Sequence, residues 1–159
     1  MLLCALAVGL CYANSLGGPF VLDDPPPGRA LAFGSRPLVW ASFELNRAWS
    51  GGATWSYHVF NALVFLACGL ALLGVLRRML ALVAPAQAAG RRAGLALAIT
   101  LLWLCHPLQT SAVSYISQRA ELLAVLFYLG VLYGHLRALA SPAWGWRALA
   151  LVSLTLGFL

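Results

Sequence analysis

Lysine is absent from this chain, and carboxylates are scarce. Asp23, Asp24, Glu44 and Glu121 are the whole acidic complement, set against ten arginines. Charged residues make up 9% of the 159 and hydrophobic ones 62%, with a mean hydropathy of +0.87. A soluble domain of this length must turn an outer face to water, and these residues cannot cover one, which excludes a water-soluble globule. The arginines are scattered among apolar runs rather than gathered in a patch, which removes the case for a nucleic-acid partner. The four cysteines, Cys4, Cys11, Cys68 and Cys105, form no Cys-x-x-Cys pair and no Cys/His group. Neither a zinc site nor a disulfide framework is therefore expected, and the thiols read as small buried hydrophobes. Arginine without lysine in an Ala/Leu-rich chain points to a GC-rich, bacterial coding sequence.

What the chain does contain is a succession of apolar runs. They predict an all-α, polytopic transmembrane protein, a single membrane domain over 1–159 with about five hydrophobic segments near 1–16, 57–76, 93–105, 121–136 and 148–159. The first run reads either as a signal-peptide core with cleavage near Ala13 or as a span; "FVLDD" directly after it favours the span. A long outer loop over 17–56 carries Pro25-Pro26-Pro27 and the helix-like stretch "WASFELNRAW". Residues 106–120 are polar and amphipathic, and Pro107 suits the first turn of a helix running on into the fourth span. Gly130 and Gly134 form a GxxxG, which signals close helix packing before any binding role.

Topology sorts the charges. The loops after the second and fourth spans hold Arg77, Arg78, Arg91, Arg92, Arg137 and Arg147 without one acid, so the positive-inside rule makes them cytoplasmic. The opposite face receives Asp23, Asp24, Glu44 and Glu121 with Arg29, Arg36, Arg47 and Arg119. Solvation alone accounts for Arg29 and for Glu44. It accounts poorly for Asp23-Asp24, which abut Phe20-Val21-Leu22 at the membrane edge, where ionisable groups are costly and often functional. Adjacent carboxylates repel, which raises the proton affinity of one and suits it to act as a base.

"YANSLGGPFVLDD", "RPLVWASFELNRAW", "YHVFNAL" and above all "HPLQTSAVSYISQRAELLAVLFYL" resemble the amino-terminal membrane part of the TMTC-type, tetratricopeptide-repeat-bearing protein O-mannosyltransferases. The resemblance implies a GT-C glycosyltransferase fold and a sugar donor carried on polyprenyl or dolichyl phosphate. It also implies a protein acceptor and chemistry on the non-cytoplasmic side, at the bacterial inner membrane or, in a eukaryote, the ER. By the same resemblance Asp24 or Asp23, with Asp24 preferred, is the base that takes the acceptor's hydroxyl proton. Arg119, Arg36 and Arg47 are the candidates for the donor phosphate, Arg119 first. His106, Gln109 and Glu121 are expected at the substrates, although His106 reads equally well as a cap on the turn it begins. No definite cofactor is implied; a divalent cation at the carboxylate pair stays open.

The chain departs from the family where three prolines occupy a short stretch between Asp24 and Arg36, and where Ser111 stands in place of a common Glu. It also stops before the later "SKE"-like motif, further spans and repeats, so it is expected to be the first part of an enzyme. A transporter or a non-catalytic membrane scaffold is the competing reading. Apolar runs without internal acids or arginines weigh against the transporter.

Overall fold

The structure, a computed structural model, describes residues 1–21, 36–141 and 143–157. Asp23, Asp24 and Arg29 lie outside the described residues. Among those described there is no strand. The helices are α1 (Leu2–Tyr12), α2 (Pro37–Ser50), α3 (Thr54–Val83), α4 (Ala89–Leu104), α5 (Thr110–Ser114), α6 (Arg119–Ala140) and α7 (Trp144–Gly157). Short 3-10 turns cover Ala13–Gly17, Pro107–Gln109 and Ile116–Gln118.

By length and composition, α3 and the stretch Ile116–Ala140 are able to cross a membrane, and α4 with Pro107–Ser114, bent by 55°, makes a third crossing if the pair acts as one. Leu2–Gly17 is apolar but shorter. Among the described residues, two helices, or three crossings with the bent pair, meet that measure of length and composition, against the about five segments expected. The long apolar faces turn outward: only 39% of the most apolar window of α3 and 17% of that of Ile116–Ala140 is buried inside the protein. Leu63, Leu102, Val125 and Tyr128 are among the large side chains left exposed, as contact with lipid requires.

The described ends of the spans differ from those read in the sequence. α3 runs through Arg77 and Arg78 to Val83 rather than stopping at Leu76, because arginine is a good helix former and its long stem reaches water from within the last turns. α4 begins at Ala89 and takes Arg91 and Arg92 into its first turn. Arg92 Nη1 donates to the carbonyls of Ala84 (3.1 Å) and Pro85 (3.0 Å), closing off the C-terminal end of α3.

α3 is the central post. α1, α4 and α6 pack on it, and α7 packs along α6. The buried core runs through Cys4, Val8, Phe65, Cys68, Leu104 and Leu122. At its upper end the Tyr12 hydroxyl donates to the Leu104 carbonyl (2.9 Å), and the Tyr12 ring meets Phe65 edge to face at 5.4 Å. Cys4 and Cys68 are buried as expected, but Cys11 and Cys105 are exposed. Cys11 stands at the end of α1 and Cys105 at the end of α4, where both thiols reach the surface.

The amphipathic 106–120 stretch is not one helix. Pro107 lacks an N–H and biases the preceding residue away from helix, so α4 ends at Leu104 and a tight turn follows, with His106 Nδ1 accepting from Leu108 N (3.2 Å). α5 then stops at Tyr115, which is extended (φ −84°, ψ 123°), and α6 starts afresh at Arg119.

The GxxxG of α6 packs on α7. A Cβ on Gly134 would lie 2.9 Å from both Ala150 N and Trp146 O, which are backbone atoms and cannot step aside. Gly134→Ala is expected to cost about 1–3 kcal/mol, the usual penalty of overpacking, seen as a lower unfolding midpoint in detergent. Gly145→Ala is the control, since a Cβ there meets nothing within 4 Å, and its midpoint is expected to be unchanged or slightly higher.

Candidate functional site

The described candidate residues gather at the end of the bundle away from Arg77, Arg78, Arg91 and Arg92. α2 supplies the first group. Pro37 opens it at the first helical position, which leaves Arg36 just outside the helix, and Gly51, at φ 63°, ends it with its N–H on the Arg47 carbonyl (2.9 Å). Along its exposed side Arg47 donates through Nε (2.9 Å) and Nη2 (2.5 Å) to Glu44 Oε2. Both are solvated, so this pair contributes little to stability. It does occupy Arg47 with a carboxylate.

The inner side of α2 meets Arg119, the first residue of α6 and fully buried. Its Nε donates to Asn61 Oδ1 (2.9 Å). Nη1 donates to Asn46 Oδ1 (2.6 Å) and Ser42 Oγ (3.2 Å), and Nη2 to the Tyr57 carbonyl (3.2 Å). The Phe60 and Phe43 rings lie 4.3 Å and 4.5 Å from the guanidinium carbon. These distances suit cation–π attraction. The acceptors are all neutral, so the cation is held by dipoles and ring faces.

Both asparagines are used at both ends. Asn46 Nδ2 donates to the Ser56 carbonyl (3.1 Å) at the start of α3. Asn61 Nδ2 donates to the Tyr115 carbonyl (3.1 Å), which also accepts Gln118 N–H (3.2 Å) in the 3-10 turn before α6. One buried network therefore ties α2, the head of α3 and the head of α6. Buried polar groups cost little only when satisfied, and the hydrogen bonds found here go far towards that.

This placement bears on the phosphate candidates. Arg119 was expected foremost among them; its guanidinium is enclosed by protein and reaches no open surface. Arg36 does reach one. With Glu121, in the first turn of α6, it lines a cavity of about 280 Å³ whose other walls include Val39, Ala124 and Phe127. A second cavity of about 290 Å³ shares Ala124, Phe127 and Gly157 with the first and continues it between α6 and α7 along apolar side chains. The two form an amphipathic groove with a charged mouth. His106 and Gln109 sit apart from it in the turn after α4, where His106 is exposed and caps that turn.

Sequence reasoning passed over Asn46, Asn61 and His58. His58 is buried, with Nε2 3.1 Å from the Gly18 carbonyl. A carbonyl only accepts, so Nε2 carries the hydrogen, and the buried Nδ1 finds no partner among the described residues. This bond anchors the chain at Gly18 to α3, five residues ahead of Asp23. All three residues are polar side chains inside apolar or amphipathic stretches, and that was the available signal. Among the described residues no group of three or more His, Cys, Asp or Glu side chains is placed to hold a metal ion.

No protein-family model matches the chain, and no solved structure does. Related proteins do. The protein O-mannosyl-transferase Tmtc2 of Drosophila melanogaster is 32% identical over 84% of this chain and 16% of its own length. The protein O-mannosyl-transferase TMTC1 of Homo sapiens is 28% identical over 82% of this chain and 17% of itself. The protein O-mannosyl-transferase TMTC2 of Mus musculus is 34% identical over 70% and 13%. The chain spans about a sixth of the length of these curated relatives or less. It is a TMTC-like protein, homologous to the protein O-mannosyl-transferases of that family over most of its own length.

Proposed function

We propose that this chain is part of a multi-pass membrane glycosyltransferase of GT-C type. It transfers a sugar, mannose by kinship with the O-mannosyl-transferases, from a polyprenyl- or dolichyl-phosphate donor to a hydroxyl of a protein acceptor. The observation that carries this reading furthest is the groove with a charged mouth. Arg36 is the cation at its opening, and the apolar walls along α6 and α7 suit an isoprenoid chain. Arginine matches phosphate by charge and by its forked donors.

In the reaction, the acceptor oxygen attacks the anomeric carbon while a carboxylate of the Asp23-Asp24 pair takes its proton. The bond from that carbon to the phosphate oxygen breaks, and the lipid phosphate leaves with the electron pair. A cation at the mouth stabilises the charge that develops there. The active face is the non-cytoplasmic one, because the arginine-rich turns lie at the other end of the bundle. A divalent cation at the carboxylate pair is a further option, and chelation tests it directly.

The reading is tested with Arg36→Ala in the complete protein, using a polyprenyl-phosphate mannose donor and a Ser/Thr peptide. The donor concentration for half-maximal rate is expected to rise about 10-fold or more, the loss of one charge-assisted contact of roughly 1.5–3 kcal/mol. The maximal rate is expected to change less. An unaltered donor requirement removes Arg36 from the phosphate site.

A further inference from the structure

The structure assigns Cys11 and Cys105 as a disulfide pair that staples the end of α1 to the end of α4 on the non-cytoplasmic side. This rests on the sidedness proposed above. The argument begins one residue away from each thiol. Tyr12 Oη donates to the Leu104 carbonyl at 2.9 Å, in a buried contact that joins two parts of the chain 92 residues apart in sequence. The Tyr12 ring is fixed against Phe65 at 5.4 Å, and Phe65 lies against Trp103 at 4.9 Å. The ends of α1 and α4 are thus held in register by a hydrogen bond and a run of rings.

Cys11 precedes Tyr12 and Cys105 follows Leu104. Both are exposed, and each is bonded along the chain to one end of the Tyr12–Leu104 hydrogen bond, which brings the two thiols into one neighbourhood. Cys4 and Cys68, by contrast, are buried in the core.

Exposure and proximity decide the chemistry. Buried thiols in apolar surroundings stay inert, whereas exposed neighbouring thiols in an oxidising compartment exchange with disulfides they meet. The oxidant is a thiol–disulfide exchange partner of that compartment. One cysteine thiolate attacks its disulfide and releases the first thiol. The second cysteine then attacks the mixed disulfide and releases the other thiol. Cys11 and Cys105 together lose two protons and two electrons, and one partner disulfide becomes two thiols. The product joins the terminal helix, which is exposed along much of its length, to the body of the bundle.

The test is peptide mapping of the complete protein, taken from its own membrane, blocked at once with N-ethylmaleimide and digested without reductant. A linked peptide pair containing Cys11 and Cys105 is expected. It is expected to disappear with dithiothreitol and in Cys11→Ser and Cys105→Ser, with Cys4 and Cys68 unlinked. Recovery of Cys11 and Cys105 as maleimide adducts in the unreduced sample overturns the assignment. Diamide treatment of the detergent-solubilised protein then gives the reason. Linking by diamide means that the two thiols are adjacent but face a reducing compartment, so the sidedness fails. No linking means that the side chains are not adjacent, which leaves the transferase reading untouched.

Discussion

Replacing Arg119 with leucine is expected to lower stability by about 3–5 kcal/mol, the range seen when one partner is stripped from a buried charged network. The loss comes less from the charge than from what it leaves behind. Asn46 Oδ1, Asn61 Oδ1 and the Tyr57 carbonyl all lose their arginine donor within a buried junction. Each buried acceptor without a partner costs about 1–3 kcal/mol. Arg119→Lys is expected to recover only part, since an ammonium has no planar fork with which to reach Asn46, Asn61 and Tyr57 at once. The combined variant Asn46→Leu, Asn61→Leu and Arg119→Leu is expected to regain more than lysine does, because removing both sides of a polar contact leaves little unpaired. Thermal or denaturant midpoints in one fixed detergent check the series. An unchanged midpoint for Arg119→Leu makes the guanidinium dispensable and reopens it as a ligand for phosphate.

Arg119 also shows what a sequence read on its own displays and what it hides. That a lone arginine at the head of an apolar run is unusual is visible at once. Its acceptors are not, because Asn61, Asn46 and Ser42 lie 58, 73 and 77 residues away and no local period connects them. The same network explains the misread 106–120 stretch. Its composition is helical and amphipathic, but Asn61 reaches across to take the Tyr115 carbonyl, and that tertiary bond stabilises a break that no local propensity marks. The all-helical class, the packing role of Gly134 and the capping reading of His106 follow from local chemistry, and these are the features the structure displays as read. Exposure of Cys11 and Cys105 depends on which elements lie outside α1 and α4, which composition does not carry.

The network bears on the groove as well. Arg36 stands one residue ahead of α2 and Glu121 two residues into α6, and α2 and α6 are the elements that Arg119 joins through Asn46 and Ser42. The register of α2 on α6 therefore sets the separation of the two charged groups at the mouth. A change at Arg119 that lets α2 shift on α6 is expected to raise the donor requirement as well as lower the midpoint, whereas Arg36→Ala acts on the donor without moving the midpoint.

Asp24→Asn is expected to reduce sugar transfer by about 10²–10⁴-fold at saturating donor, the usual worth of a positioned general base, with Asp23→Asn less severe. Asparagine keeps the shape and hydrogen-bonding reach of the carboxylate but accepts no proton, so the loss belongs in kcat. Arg36→Ala belongs in the donor KM. That division matters, because a variant that merely misfolds lowers the amount of active protein and leaves KM where it was. The kinetics are therefore read beside membrane insertion and unfolding midpoint, both expected to match wild type in the asparagine variants. If the pair instead holds a divalent cation, chelation abolishes wild-type turnover and excess metal restores part of the activity of a single asparagine variant. If it acts as a base, chelation has no effect and the acid limb of the wild-type pH–rate profile disappears in the variant that removes the base. Full activity in both single variants and in the double variant sets the carboxylates aside, and the search for a base then turns to Glu121, the carboxylate that shares the groove with Arg36.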